Sequence, residues 1–80
     1  MIKKLDQIVL TEDLPEHGLR AGDVGTVVLV HRQGEGYEVE FVALDGETLA
    51  VTSLLASQVR PIAKREITSA RLVDNQPQAA

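Results

Sequence analysis

One stretch of the chain carries the residues best suited to chemistry: EHGLRAGDVGTVV, residues 16–28. It places His17 directly after Glu16 and close to Asp13, so the side chains of a histidine–carboxylate pair are present. Such a pair could act as a general acid–base catalyst or activate a nucleophile. No serine near it stands in the context of a nucleophile, and the chain contains no cysteine. We therefore interpret His17 as a solvated loop residue, and we interpret His31, which ends a strand pattern, in the same way.

The glycines of the same stretch could alternatively form a phosphate-binding loop. The sequence contains neither G-x-x-x-x-G-K-[S/T] nor G-x-G-x-x-G, and the glycines lead into a valine-rich strand rather than a helix. We interpret them as structural. Gly22 is predicted to adopt positive φ in a tight turn, and Gly25 to allow a bulge or a close crossing of two backbones. The predicted structural turn and bulge positions are Gly18, Gly22, Gly25, Asp45 and Gly46.

Acidic residues form a second candidate cluster, around two predicted hairpins. Its members are Glu35, Glu38, Glu40, Asp45 and Glu47. The calcium-loop pattern D-x-[DN]-x-[DN]-G is missing, and two histidines without cysteine do not complete a tetrahedral site. We expect no metal and no cofactor. Two interpretations stay open: a solvated face, or a docking face on which Glu38 and Glu40 meet a basic partner.

The hydrophobic pattern predicts an all-β fold. Five short strand-like runs lie within residues 5–62, and most are separated by glycine- or proline-containing turns. In the run from Tyr37 to Val42, the side chains of Tyr37, Val39 and Phe41 share one face, whereas Glu38 and Glu40 point the other way. An open sheet of this size would leave its edges exposed and one face unpacked. We therefore predict a small five-stranded SH3-like barrel, with Asp45-Gly46 as a two-residue hairpin turn.

The sequence divides at residue 62 into a barrel, residues 1–62, and a C-terminal extension, residues 63–80. The spacing of apolar residues in the extension fits a helix and a strand equally, and its final residues, DNQPQAA, are expected to be disordered. A purely solvating segment would not need Ile67, Leu72 and Val73. With Arg71 they predict docking by apolar contact and charge, on the chain's own barrel, on a second copy in a homo-oligomer, or on a partner.

Composition excludes several classes of function. The chain has 80 residues and a net charge of −4, which opposes non-specific binding to nucleic acid. Tyr37 and Phe41 are its only aromatic residues, and both are expected in the core, so neither a proline-peptide groove nor a base-stacking surface is available. No run approaches the roughly 20 apolar residues of a membrane span, and no signal peptide is evident. We expect a cytoplasmic protein.

Two segments of the sequence carry a family resemblance. LDQIVLTEDLPEHGLRAGDVGTVV and YEVEFVALDGETLAVTSLLASQVRPI resemble small uncharacterised bacterial proteins, often cyanobacterial, of the SH3-like barrel type. Their pattern D-L-P-E-x-G-L-x-x-G-x-x-G-T-V-V is matched by residues 13–28. The resemblance implies a barrel and no catalytic residue. The shorter G-x-x-G-T-V-V segment also resembles the bend of KOW-type ribosomal and transcription domains, and of small accessory barrels in photosystem I.

Together these observations predict a non-catalytic protein-interaction module, or a small accessory subunit of a cytoplasmic complex. Its expected partner is a protein with a basic surface. The alternative is a KOW-like nucleic-acid or ribosome-associated domain, for which only four cations near the extension could supply a basic face: Arg60, Lys64, Arg65 and Arg71. An enzyme is not expected, because no set of residues forms a recognisable catalytic group.

Overall fold

The computed structural model describes residues 1–73. Within this range the chain forms five β-strands and two single-turn 3-10 helices. The strands are β1 (Gln7–Leu10), β2 (Val24–His31), β3 (Gly36–Val42), β4 (Thr48–Leu55) and β5 (Val59–Pro61). The first 3-10 helix is Pro15–His17 and the second is Ala56–Gln58. Runs of β-branched residues in β2, and alternation in β3, are the local reasons for these strands.

All five strands belong to one antiparallel sheet in the order β4-β3-β2-β1-β5. β4 and β5 are therefore the two edges of the sheet, yet only the second 3-10 helix separates them along the chain. Edges joined by three residues must lie near each other, so the sheet bends round on itself. The Ala56 amide donates to the Glu35 carbonyl at 3.1 Å and the Thr11 amide to the Gln58 carbonyl at 2.9 Å, which extends both edge pairings. The predicted all-β, five-stranded, barrel-like architecture is confirmed.

The core lies on the concave face of this sheet. Tyr37, Val39 and Phe41 are buried, as their alternation predicts. The β1–β2 loop, residues 11–23, contributes two further buried side chains, Leu14 and Leu19, whose backbones pair with each other. The core cluster consists of Ile8, Leu10, Leu14, Leu19, Val27, Tyr37, Val39, Phe41, Leu54 and Val59. The long β1–β2 loop therefore contributes side chains to the hydrophobic core.

Two glycines shape the bend for different reasons. Gly22 has a φ of +97°, with open space around an added Cβ, so its requirement is conformational. Gly25 lies in β2 opposite Ile8, and a Cβ there would lie 2.6 Å from Val39 Cγ1 and 2.7 Å from Phe41 Cε1. Its requirement is space, because the β3 side chains pack directly onto its backbone.

The β3–β4 turn differs from the predicted two-residue hairpin. The Gly46 amide donates to the Ala43 carbonyl at 2.9 Å, and the Ala43 amide donates to the Glu47 carbonyl at 2.7 Å. Residues 44–46 therefore form the loop, with Gly46 at a φ of +98°. The Asp45 carboxylate accepts a hydrogen bond from the Glu47 amide at 3.0 Å, which orders the turn locally. This is the three-residue hairpin with a glycine bulge, and not the two-residue type.

After β5 ends at Pro61, residues 62–73 contain neither a strand nor a helix. The sequence left a helix and a strand equally possible for the extension, and residues 63–73 form neither. The prediction of disorder for DNQPQAA, residues 74–80, lies outside the described residues. No helix among residues 1–73 has the length and apolar character needed to cross a membrane.

Candidate functional site

The convex side of β2, β3 and β4 carries the predicted docking glutamates. Glu38 lies opposite Leu29 on β2 and opposite Ser53 on β4, and Glu40 lies opposite Thr26 and Val51. Residues directly opposite each other in an antiparallel pair share one face of the sheet. We call this surface the outer face and define it by Thr26, Leu29, His31, Glu38, Glu40, Val51 and Ser53.

Glu38 is the centre of a three-residue hydrogen-bond cluster. The Ser53 hydroxyl donates to Glu38 Oε2, and His31 Nε2 lies 2.7 Å from the same oxygen. The hydrogen bond from Ser53 lowers the pKa of Glu38, and the hydrogen bond and charge of His31 lower it further. Glu38 is thereby held as a carboxylate. The cluster joins three neighbouring strands through one side chain.

The order of these side chains decides what chemistry the cluster supports. Activation of a serine requires the imidazole to lie between the hydroxyl and the carboxylate. Here the carboxylate of Glu38 lies between Ser53 and His31. The Ser53 hydroxyl therefore donates its hydrogen bond to the carboxylate and not to the imidazole of His31. The arrangement fixes a negative charge at the surface rather than preparing a nucleophile.

Glu40 is held in a similar manner by the Thr48 hydroxyl, which donates to Glu40 Oε2 at 2.9 Å. Exposed aliphatic side chains flank the two carboxylates. Leu29 is 48% exposed and Val51 is 55% exposed, although both lie within strands. The outer face therefore combines fixed negative charge with exposed apolar area.

The structure distributes the other predicted residues over separate elements. His17 ends the first 3-10 helix, and Gly18 follows it with a φ of 70°. Ile67, Arg71 and Leu72 lie on the extension, and within residues 1–73 no hydrogen bond or ion pair joins them to Glu38 or Glu40. Ile67 and Leu72 are each 91% exposed, so apolar packing does not hold the extension at these positions.

Sequence reasoning did not identify His31, Ser53 and Thr48 as partners of the glutamates. His31 lies opposite Gly36, two residues before Glu38, because residues 32–35 close the β2–β3 hairpin. That pairing was within reach of the sequence, since a glycine-containing hairpin brings the ends of its strands together. Ser53 and Thr48 were not, because their positions depend on the register of β4, which shifts between the pairs Phe41–Ala50 and Val42–Thr48.

The extension is held at two points by arginine–carboxylate pairs. The first pair is local: the Arg60 guanidinium donates to both oxygens of Glu66, and the Ala63 amide donates to Glu66 Oε1 at 2.7 Å. The second is distant in sequence and joins Arg71 to Asp23 in the β1–β2 loop. Two of the four cations that could have formed a basic face are therefore already paired with carboxylates.

A pH titration tests the first of these pairs. The hydrogen bonds from Arg60 and from the Ala63 amide, with the Arg60 charge, lower the pKa of Glu66 from 4.5 to about 2. A lowered pKa means that the pair stabilises the turn at residues 63–66 above pH 4.5. This stabilisation is lost as the pH falls from 4.5 towards 2. We expect the Ala63 amide NMR shift to titrate with a midpoint near 2.

The variant Arg60→Gln serves as the reference, because it removes the charge and should move that midpoint up towards 4.5. The Val39 amide, which lies in the core, reports whether the barrel itself stays folded over the same range. A midpoint near 4.5 in the unaltered protein, with Val39 unchanged, would contradict the Arg60–Glu66 pair.

No group of three or more histidine, cysteine, aspartate or glutamate side chains within residues 1–73 could hold a metal ion. A sequence model of one protein family, described as Domain of unknown function (DUF4926), matches residues 4–61. No curated protein and no solved structure matches the chain. The matched range covers every strand and ends at Pro61, the last residue of β5, just before the extension.

Proposed function

From the premise that the chain belongs to the family described as Domain of unknown function (DUF4926), we propose that it is a non-catalytic protein-interaction module or small accessory subunit. Its outer face is the proposed docking surface. The observation that supports this proposal is the pair of carboxylates, Glu38 and Glu40, held by hydroxyl groups and bordered by exposed Leu29 and Val51.

Holding the carboxylates in place favours binding over simple solvation. A glutamate that is already fixed by Ser53 and His31, or by Thr48, loses little side-chain entropy when it meets a partner cation. The aliphatic side chains beside it supply apolar area that a partner can bury. The partner that fits is a protein surface with lysine or arginine next to aliphatic residues, and its association should depend on salt.

The alternative of a KOW-like nucleic-acid binder finds less support. The net charge is −4, Arg60 is paired with Glu66, and Arg71 is paired with Asp23. That leaves Lys64 and Arg65 of the four cations that could form a basic face near the extension. Two cations neutralise few phosphates, so any binding to nucleic acid should be weak and should disappear as salt rises.

The test begins with a photoreactive residue in place of Val51, which is exposed in the middle of the outer face. Proteins crosslinked in an extract of the source cells are identified by mass spectrometry, and association rates are then measured with the purified partner. We expect Glu38→Lys with Glu40→Lys to slow association by roughly tenfold or more at low salt, and by less as salt rises. Melting temperature should change little, since both side chains point away from the core.

The matched control is Glu35→Lys with Glu47→Lys. It makes the same change in net charge, from −4 to 0, but both residues lie in the hairpin connections and outside the outer face. Association should fall only through the general loss of negative charge. Equal slowing by the two pairs would show that the outer face is not the docking surface, and a DNA or RNA shift that persists as salt rises would favour the alternative.

A further inference from the structure

The β1–β2 loop, residues 11–23, is rich in acids and is internally ordered. Its carboxylates are Glu12, Asp13, Glu16 and Asp23. The Asp13 carboxylate accepts from the Ala21 amide at 2.9 Å, and the Asp23 carboxylate accepts from the Arg20 amide at 2.9 Å. Buried Leu14 and Leu19 anchor the loop in the core. The acceptors of this loop therefore have fixed positions before any ligand arrives.

Arg71 of the extension donates hydrogen bonds to two residues of this loop, Asp23 and Gly18. Its Nε donates to Asp23 Oδ1 at 3.2 Å, a terminal nitrogen donates to Asp23 Oδ2, and the same nitrogen lies 3.4 Å from the Gly18 carbonyl. The side chains of Arg71 and Asp23 are only 23% and 22% exposed. Two carboxylate oxygens and one carbonyl around a planar guanidinium form a geometry that suits arginine and that a lysine ammonium does not reproduce.

The rest of the extension makes few contacts with the barrel. Ile67 and Leu72 are 91% exposed, and residues 67–70 make no hydrogen bond within the described part of the chain. The groove beside the contact is lined by Arg71 and Leu72 themselves, together with the loop residues Asp13, Pro15, Gly18, Leu19 and Arg20. Within residues 66–73, Arg71 makes the hydrogen bonds that join this segment to the loop, and Val73, two residues further on, is half-buried.

We propose that the Asp23 carboxylate and the Gly18 carbonyl, beside this groove, form a recognition site for an arginine in an extended, basic segment of a partner protein, and that Arg71 occupies the site in cis. The acidic charge of the β1–β2 loop and the guanidinium geometry define the ligand chemistry. Occupation by the chain's own arginine reduces the apparent affinity for a partner by the fraction of molecules in which the site is filled. The acceptors of this site belong to the β1–β2 loop, apart from the outer face, so either assignment can fail without the other.

The experiment uses the full chain and a fluorescent peptide with the sequence TSARLV, residues 68–73. Binding is measured by anisotropy. The variant Arg71→Ala empties the site, and we expect it to bind the peptide roughly five- to tenfold more tightly than the unaltered protein, which corresponds to a site filled in about 80–90% of molecules. Lys64→Ala removes one charge from the extension without touching the loop and should leave the affinity unchanged.

Three comparisons make the proposal falsifiable. In the Arg71→Ala protein, adding Asp23→Asn should abolish binding, provided that thermal melting shows the barrel folded. If that variant does not fold, a peptide with alanine in place of arginine gives the same test, and it should not bind. Equal affinity of Arg71→Ala and unaltered protein would overturn the proposal. A dimer of the unaltered protein that Arg71→Ala dissolves would overturn it too, because the occupant would then be a second copy.

Discussion

Replacing Gly25 with valine is expected to lower the free energy of unfolding by about 3 kcal/mol or to prevent folding. A Cβ at this position would lie 2.6 Å from Val39 Cγ1 and 2.7 Å from Phe41 Cε1, which is closer than non-bonded carbons approach. Both neighbours are fully buried, so neither can move without displacing further core residues. Overpacking of this kind usually costs about 1–3 kcal/mol, and valine adds two methyl groups beyond the Cβ.

Gly22→Val is the matched control because the two glycines differ in what they require. Gly22 has positive φ but nothing within 4 Å of an added Cβ, so its cost is backbone strain alone, about 1–3 kcal/mol. Adding Val39→Ala to Gly25→Ala should recover part of the lost stability, and it should recover none in Gly22→Ala. Thermal melts of the four proteins measure this, and rescue of Gly22→Ala would contradict the distinction.

Phe41→Ala is expected to have a similar or larger effect, about 3–5 kcal/mol. The ring is 2% exposed and is among the largest fully buried side chains of the core, where it meets the backbone of Gly25. For a domain of this size each kcal/mol lowers Tm by about 4–8 °C, so the variant should melt roughly 12–40 °C below the unaltered protein.

Val42→Ala, one residue along β3, provides the comparison. Val42 is 44% exposed and its side chain is outside the core cluster, so its truncation should cost less than about 1 kcal/mol. Chemical denaturation with urea measures both variants. A Val42 effect as large as the Phe41 effect would mean that the outer side of β3 is covered in solution, for example by a second copy.

The sequence was sufficient for the strands but not for all the contacts between them. Tyr37, Val39 and Phe41 could be placed in the core because alternation in a strand is local. The β2–β3 hairpin made His31 predictable as a neighbour of Glu38, whereas Ser53 was not, because its position depends on the register of β4. Turn length was the weakest point: Asp45-Gly46 is compatible with two hairpin types, and the choice depends on the pairing of Ala43 with Glu47.

The contacts of the extension also could not be predicted from the sequence. Its apolar residues gave no consistent period, and in the structure Ile67 and Leu72 are exposed, whereas Val73 is half-buried. Two ion pairs hold the segment, one between residues six apart and one between residues 48 apart. The pairing of Arg71 with Asp23 depends on the path of the chain after Pro61, which no local pattern encodes.

The position of β1 in the sheet has a consequence for how the protein is made. β1 lies between β2 and β5, and Leu10 pairs with Val59, so its second neighbour is synthesised 49 residues later. At about 5–20 residues per second, translation leaves that edge of β1 unpaired for roughly 2–10 s. The exposed edge belongs to Ile8, Val9 and Leu10, which are buried in the finished barrel. Until β5 emerges from the ribosome and closes the barrel, each nascent chain therefore exposes an unpaired apolar strand edge. That edge can pair with other nascent chains translated from the same messenger RNA.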